Sequence, residues 1–169
     1  MPIEQVRNAD AQLLGSVDHL WAKDRNFAVE AYGGGDAFTS ELVLNLGTLR
    51  QNYTEELFDL SSNILTFYQA GVYLFMFHSV LTMTGGAAGQ ASVYLQQDPA
   101  TGIFTTVPSA LSYIYLPPAL NSSFQVVLPL IVGFDYRYRI GGIRTSGAGT
   151  VQTLNQSTSL AAVLLYNNT

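Results

Sequence analysis

The sequence predicts an all-β domain, a sandwich, barrel or jelly roll of many short strands. Three observations carry this. Apolar and aromatic side chains alternate with period two through most of the chain after residue 36. Breaks rich in Gly and Pro interrupt the alternation at Gly85-Gly86, Asp98-Pro99, Pro117-Pro118, Gly141-Gly142 and Gly147 to Gly149. Residues 60–133 hold a single formal charge, Asp98, yet their apolar residues alternate instead of running together.

Residues 1–36 differ from the rest. They hold half of the acidic residues (Glu4, Asp10, Asp18, Asp24, Glu30, Asp36). Ile3, Val6, Leu13, Leu14, Val17, Leu20 and Trp21 recur there at the spacings of an amphipathic helix. Val6, Leu13 and Leu20 fall a heptad apart, compatible with a short parallel coiled coil. An extended arm that orders on docking fits the same residues. Gly33-Gly34-Gly35 reads as a hinge, which places an N-terminal anchoring arm at 1–36 and a head at 37–169.

In the head, strands are expected over residues 37–46, 63–68, 72–84, 91–97, 103–107, 111–116, 123–132, 136–140 and 158–166. The segment 72–84 is unusual because both of its faces are apolar. Tyr73, Phe75 and Phe77 lie on one, and Val72, Leu74 and Met76 on the other. A lone domain normally leaves one strand face to water, so one row is expected in the core and the other against further copies of the chain.

Ala70-Gly71-Val72-Tyr73-Leu74-Phe75-Met76-Phe77-His78 resembles the Gly-Val-Tyr strand of the globular heads of complement component 1q and their tumour-necrosis-factor-like relatives. Ser159 to Tyr166, ending in Leu164-Leu165-Tyr166, resembles the closing strand of the same family, and Ala37-Phe38-Thr39 its opening strand. The three occur in the family's order across residues 37–169. The resemblance implies a ten-stranded jelly roll assembled as a homotrimer, with aromatic side chains near the three-fold axis. Tyr73, Phe75, Phe77, His78 and Tyr166 are thereby candidates for trimer interface or core. Two departures separate the chain from secreted members. Ile131-Val132-Gly133-Phe134-Asp135 stands where a charged Pro-Gly-Asp turn is common, and residues 1–36 lack a collagen-like repeat.

Composition narrows the function. With 169 residues, 11% charged and 48% hydrophobic, the chain folds and buries a core. A net charge of -5 argues against nucleic-acid binding. The lack of cysteine excludes disulfides and thiol chemistry. Residues 64–83 approach the length of a membrane span, but Gln69, Gly71, His78, Ser79 and the alternating aromatics argue against one. Residues 1–30 carry acids throughout and do not read as a secretory signal.

No catalytic constellation stands out. The two histidines, His19 and His78, have no ligand-spaced companions. Glu55-Glu56 reads as a solvated turn, and the N-x-Ser/Thr sites at Asn52, Asn121, Asn155 and Asn167 as chance in a Ser- and Thr-rich chain. No enzyme activity and no cofactor are expected. Arg137, Arg139 and Arg144 are the only cations after Arg50, and Tyr136 to Ile140 alternates tyrosine with arginine. One reading is an anion- or sugar-recognition surface. The other is an edge whose arginines pair with Asp135 or a neighbouring subunit.

Together these features point to a structural virion protein of a virus or phage, assembled in the host cytoplasm: a capsid decoration, spike or fibre head. Residues 1–36 would dock on a capsid or other virion protein through Leu13, Leu20 and Trp21, and the head would meet a host receptor or glycan. The alternative is a secreted or surface-displayed trimeric ligand or carbohydrate-binding module.

Overall fold

A computed structural model of the protein describes residues 28–51 and 57–167. The expected arm residues Leu13, His19, Leu20 and Trp21, together with Asn52 and Glu55-Glu56, lie outside the described residues.

The described chain is built from strands alone: β1 (Ala28–Gly33), β2 (Ala37–Phe38), β3 (Leu42–Val43), β4 (Thr48–Gln51), β5 (Phe58–Ser61), β6 (Ile64–Phe67), β7 (Gly71–Thr84), β8 (Gly89–Asp98), β9 (Thr105–Leu116), β10 (Asn121–Val132), β11 (Tyr136–Ser146), β12 (Thr150–Thr153) and β13 (Thr158–Tyr166). They form two antiparallel sheets. The first runs β2-β12-β7-β13-β1-β4, with β10 on the other edge of β7, and the second runs β5-β6-β11-β8-β9, with β3 also paired to β11. This is the jelly-roll sandwich that the resemblance implied, one of the three all-β architectures the alternation left open. The strands beyond ten are short ones of two to four residues.

The doubly apolar strand is the axis of the first sheet. One edge of β7 pairs with β10 from Gly71 to Thr82, and the other with β13 and then β12. Its odd-numbered side chains Tyr73, Phe75, Phe77 and Leu81 are fully buried between the sheets. There they meet Phe67, Leu95, Tyr138 and Ile140 from the second sheet. The rings pack edge-on or tilted, with centroids 5.1 Å apart for Phe67–Tyr73 and 4.6 Å for Phe75–Tyr138, as their quadrupoles favour.

The arm–head boundary expected at Gly33–Gly35 is corrected. Ala28–Gly33 is a sheet strand, paired with β13 on one side and β4 on the other. The glycines turn the chain within the head instead of separating it from an arm. A Cβ on Gly34 would collide with the Leu154 carbonyl oxygen, and the backbone there is left-handed at φ 120°. The turn is tied down by Asp36, which accepts from the Asn45 N–H at 3.0 Å and the Thr153 hydroxyl at 3.1 Å.

Other boundaries shift for local reasons. The strand expected over 37–46 breaks into β2 and β3. Those expected over 103–107 and 111–116 join as β9, because Pro108 and the left-handed Ser109 fit a bulge where the register with β8 slips between Tyr94 and Gln96. β11 runs through Gly141-Gly142 because the ring of Tyr94 lies where a Cβ of Gly141 would be.

Candidate functional site

Each sheet turns one face away from the core, and the two faces differ. On the first sheet, pairing places Val72, Leu74, Met76 and His78 of β7 beside Ile131, Pro129, Val127 and Gln125 of β10. Tyr166, Val163, Ala161 and Ser159 of β13 flank the same positions. Val127, Ile131 and Tyr166 are 53%, 68% and 58% exposed. The candidates drawn from β7 therefore separate. Tyr73, Phe75 and Phe77 are core residues, while His78 and Tyr166 lie on the outward face. His78 is half-buried, with Nδ1 2.9 Å from the Ser159 hydroxyl.

The outward face of the second sheet is polar and cross-linked over β5, β6, β11 and β8, and turns apolar only on edge strand β9, where Leu111, Tyr113 and Tyr115 are exposed. Pairing aligns Asp59, Thr66, Arg137 and Asp98 in one row across β5, β6, β11 and β8. Asp98 is fully buried. Its carboxylate accepts from Arg137, from the Thr101 N–H at 2.7 Å and hydroxyl at 3.1 Å, and from the Gly102 N–H at 3.0 Å. Burial alone would raise the Asp98 pKa. The Thr101 hydrogen bonds, the Arg137 charge and the Gly102 N–H outweigh it and hold the carboxyl below its ordinary value.

The arginines expected as a recognition surface do not form one patch. Arg137 pairs with Asp98 rather than Asp135. Arg139 donates to Gln96 Oε1 at 2.7 Å and stacks on Phe104 at 4.0 Å from the ring centroid. Arg144 has the opposite strand parity and donates to the Gly149 carbonyl. Nearby, the Tyr94 hydroxyl donates to Glu41 at 2.6 Å. Burial, then that bond and the Glu41 charge, push the Tyr94 phenol up against the lowering effect of Arg139.

Where β6 ends and the β10–β11 turn and the β8–β9 loop converge, this face opens into a cavity of about 390 Å³ lined by Thr66, Tyr68, Ala100, Asp135 and Arg137. Phe134 stands beside Tyr68, with ring centroids 6.0 Å apart. Of these residues, the sequence alone singles out only Asp135 and Arg137. The exposed Phe134 next to an acid in a Gly-initiated turn was the available signal for the rest. Among the described residues no group of three or more His, Asp or Glu is placed to hold a metal. None of them forms a helix long and apolar enough to cross a membrane.

No family model matches the chain, and no curated protein matches it by sequence. Solved structures match it by shape. The structure of Eiger TNF from S. frugiperda superposes with a TM-score of 0.65 at 13% identity, covering 85% of this chain and 94% of that one. Murine APRIL at pH 5.0 gives 0.58 at 11% identity, covering 82% and 98%. The globular domain of the zebrafish complement 1qA protein gives 0.54 at 12%, covering 83% and 98%. The fold is therefore the jelly-roll head shared by tumour necrosis factor and complement component 1q proteins.

Proposed function

We propose that the chain is a non-catalytic, homotrimeric recognition head. The supporting observation is the outward face of the first sheet, where Leu74, Met76, Val127, Pro129, Ile131 and Val163 form a continuous apolar surface with no covering element among the described residues. Monomers seldom leave such a surface to water. A three-fold interface joins two different patches, and a second apolar strip is at hand on edge strand β9, where Leu111, Tyr113 and Tyr115 are exposed. The fold shared with tumour necrosis factor and complement heads fits the same reading.

The finer reading is a virion structural protein, its head displayed on a particle by the acid-rich, apolar-studded segment before Ala28. The likeness to Eiger TNF and APRIL favours the second reading, a secreted or surface-displayed ligand.

Sedimentation equilibrium of the full chain should give a trimer at micromolar concentration. Met76→Asp should give a folded monomer, because three carboxylates would be buried unpaired. A wild-type monomer overturns the assembly. Deleting residues 1–27 should leave a folded trimer that no longer co-purifies with particles. Retained binding, or absence of the protein from purified virions by mass spectrometry, overturns the virion role.

A further inference from the structure

We propose that the cavity beside Tyr68 and Asp135 binds a neutral polyhydroxylated ligand, a hexose unit of a glycan. None of its lining residues belongs to the two patches proposed for the trimer, the outward face of the first sheet and edge strand β9, so it can be tested separately from that assembly. Its volume, about 390 Å³, falls in the range of small-molecule sites. Its lining joins two chemistries that a sugar ring needs together. Tyr68, with Phe134 beside it, offers an aromatic surface to a ring's C–H face. Thr66, Asp135 and Arg137 offer a hydroxyl, an acceptor-only carboxylate and a donor-only guanidinium to its hydroxyl edge.

Charge balance selects among ligand classes. Arg137 is the sole cation among the described residues lining the cavity, and its charge is already matched by buried Asp98. Asp135 adds a further negative charge at the rim, and Asp59 lies in the row beyond Thr66. An anion would meet a surplus of carboxylates, and a cation would meet the guanidinium. A neutral ligand with both donors and acceptors meets neither penalty. Asp135 and Ala100, on facing loops, both hold left-handed backbone at φ 61° and 60°, a conformation that costs a residue with a Cβ and that clusters at binding sites.

The test is saturation-transfer difference NMR on the full chain, with methyl glycosides of glucose, galactose, mannose and N-acetylglucosamine and with inorganic phosphate as the anionic probe. At least one glycoside should bind. Asp135→Asn keeps the shape and suits the left-handed backbone, and Phe134→Ala removes an exposed ring, so both should fold and keep the wild-type sedimentation. Each should weaken binding by at least about tenfold, Asp135→Asn through a lost hydrogen bond to a charged group and Phe134→Ala through the lost ring surface. Absence of binding by every glycoside overturns the proposal. So does binding that survives both substitutions, or phosphate displacing the sugar. Loss of the trimer with sugar binding intact would strike the assembly alone.

Discussion

The outward faces of the two sheets solve the same problem in opposite ways. On the second sheet, apart from edge strand β9, the chain covers its own strands. Phe104 lies over Arg139, Glu41 caps Tyr94, and Asp98 is sealed by Arg137, Thr101 and Gly102. On the first sheet Leu74, Met76, Val127 and Val163 are left without such a cover among the described residues. Polar side chains on a sheet can be satisfied within one chain by a short loop. A flat apolar face of three strands requires another surface of equal extent, which a second copy would supply under the proposed assembly.

Truncation on β7 breaks or sharpens this contrast most strongly. Phe75→Ala, in the core, should cost about 3–5 kcal/mol. Met76→Ala, one residue on and facing outward, should cost about 2–5 kcal/mol if a copy covers it and under about 0.5 kcal/mol if water does. Thermal melts at several protein concentrations separate the two cases, because covering by a copy makes the loss concentration-dependent.

On the second sheet, Asp98→Ala should cost about 1–3 kcal/mol by stranding the Thr101 and Gly102 N–H groups. It should leave the oligomer unchanged in sedimentation. The pH dependence has a definite sign. The folded state holds Asp98 below its ordinary value, so its contribution is present above about pH 4 and is lost as pH falls through the folded value. Acid melts of the wild type should show this loss, and those of Asp98→Ala should not.

The smallest effect is silent at neutral pH. Burial raises the phenols of Tyr73 and Tyr138, the latter also feeling Tyr136. Their hydroxyls donate to the Gln69 carbonyl at 3.0 Å and to Gln97 Oε1 at 3.3 Å. Raised folded values mean stability that is complete below about pH 10 and lost as pH climbs beyond it. A spectrophotometric titration should find at least these two tyrosines ionising only with unfolding.

The sequence made legible what depends on alternation. The segments 72–84, 123–132 and 158–166 emerge as β7, β10 and β13 because each is long and apolar, and the one internal proline, Pro129, sits on β10, which pairs with β7 on one side only. Strand β1 was hidden because AVEAYG is short, carries Glu30 and runs into Gly33-Gly34-Gly35, so local composition read as linker while pairing to β13 and β4 is set by residues far away. The role of Asp98 was half visible. It stands out as the lone charge in 60–133, and its Asp-Pro-x-Thr-Gly setting favours a turn closed on the carboxylate. Its partner Arg137, 39 residues away, could not be read locally. The cavity draws on three separate loops and strand ends, so no single stretch of sequence announces it.

The register of β1 and β13 also gives the head a direction. Ala28 pairs with Val163, and Tyr166 with Val72, so the chain comes into the sandwich and leaves it at one end. The β10–β11 turn belongs to that end, because Val132 pairs with Gly71. The far end is closed by residues 85–88, 117–120 and 147–149, uncharged turns in which the backbones of Gly86 and Gly149 approach too closely for a Cβ. A head tethered through either terminus therefore points these turns outward, with Arg144 bonded to the Gly149 carbonyl among them, and keeps Tyr68, Phe134 and Asp135 near its base. Contact would be made from the flank, and the clearance left by the tether, rather than the chemistry of the tip, would decide how large an object can be gripped.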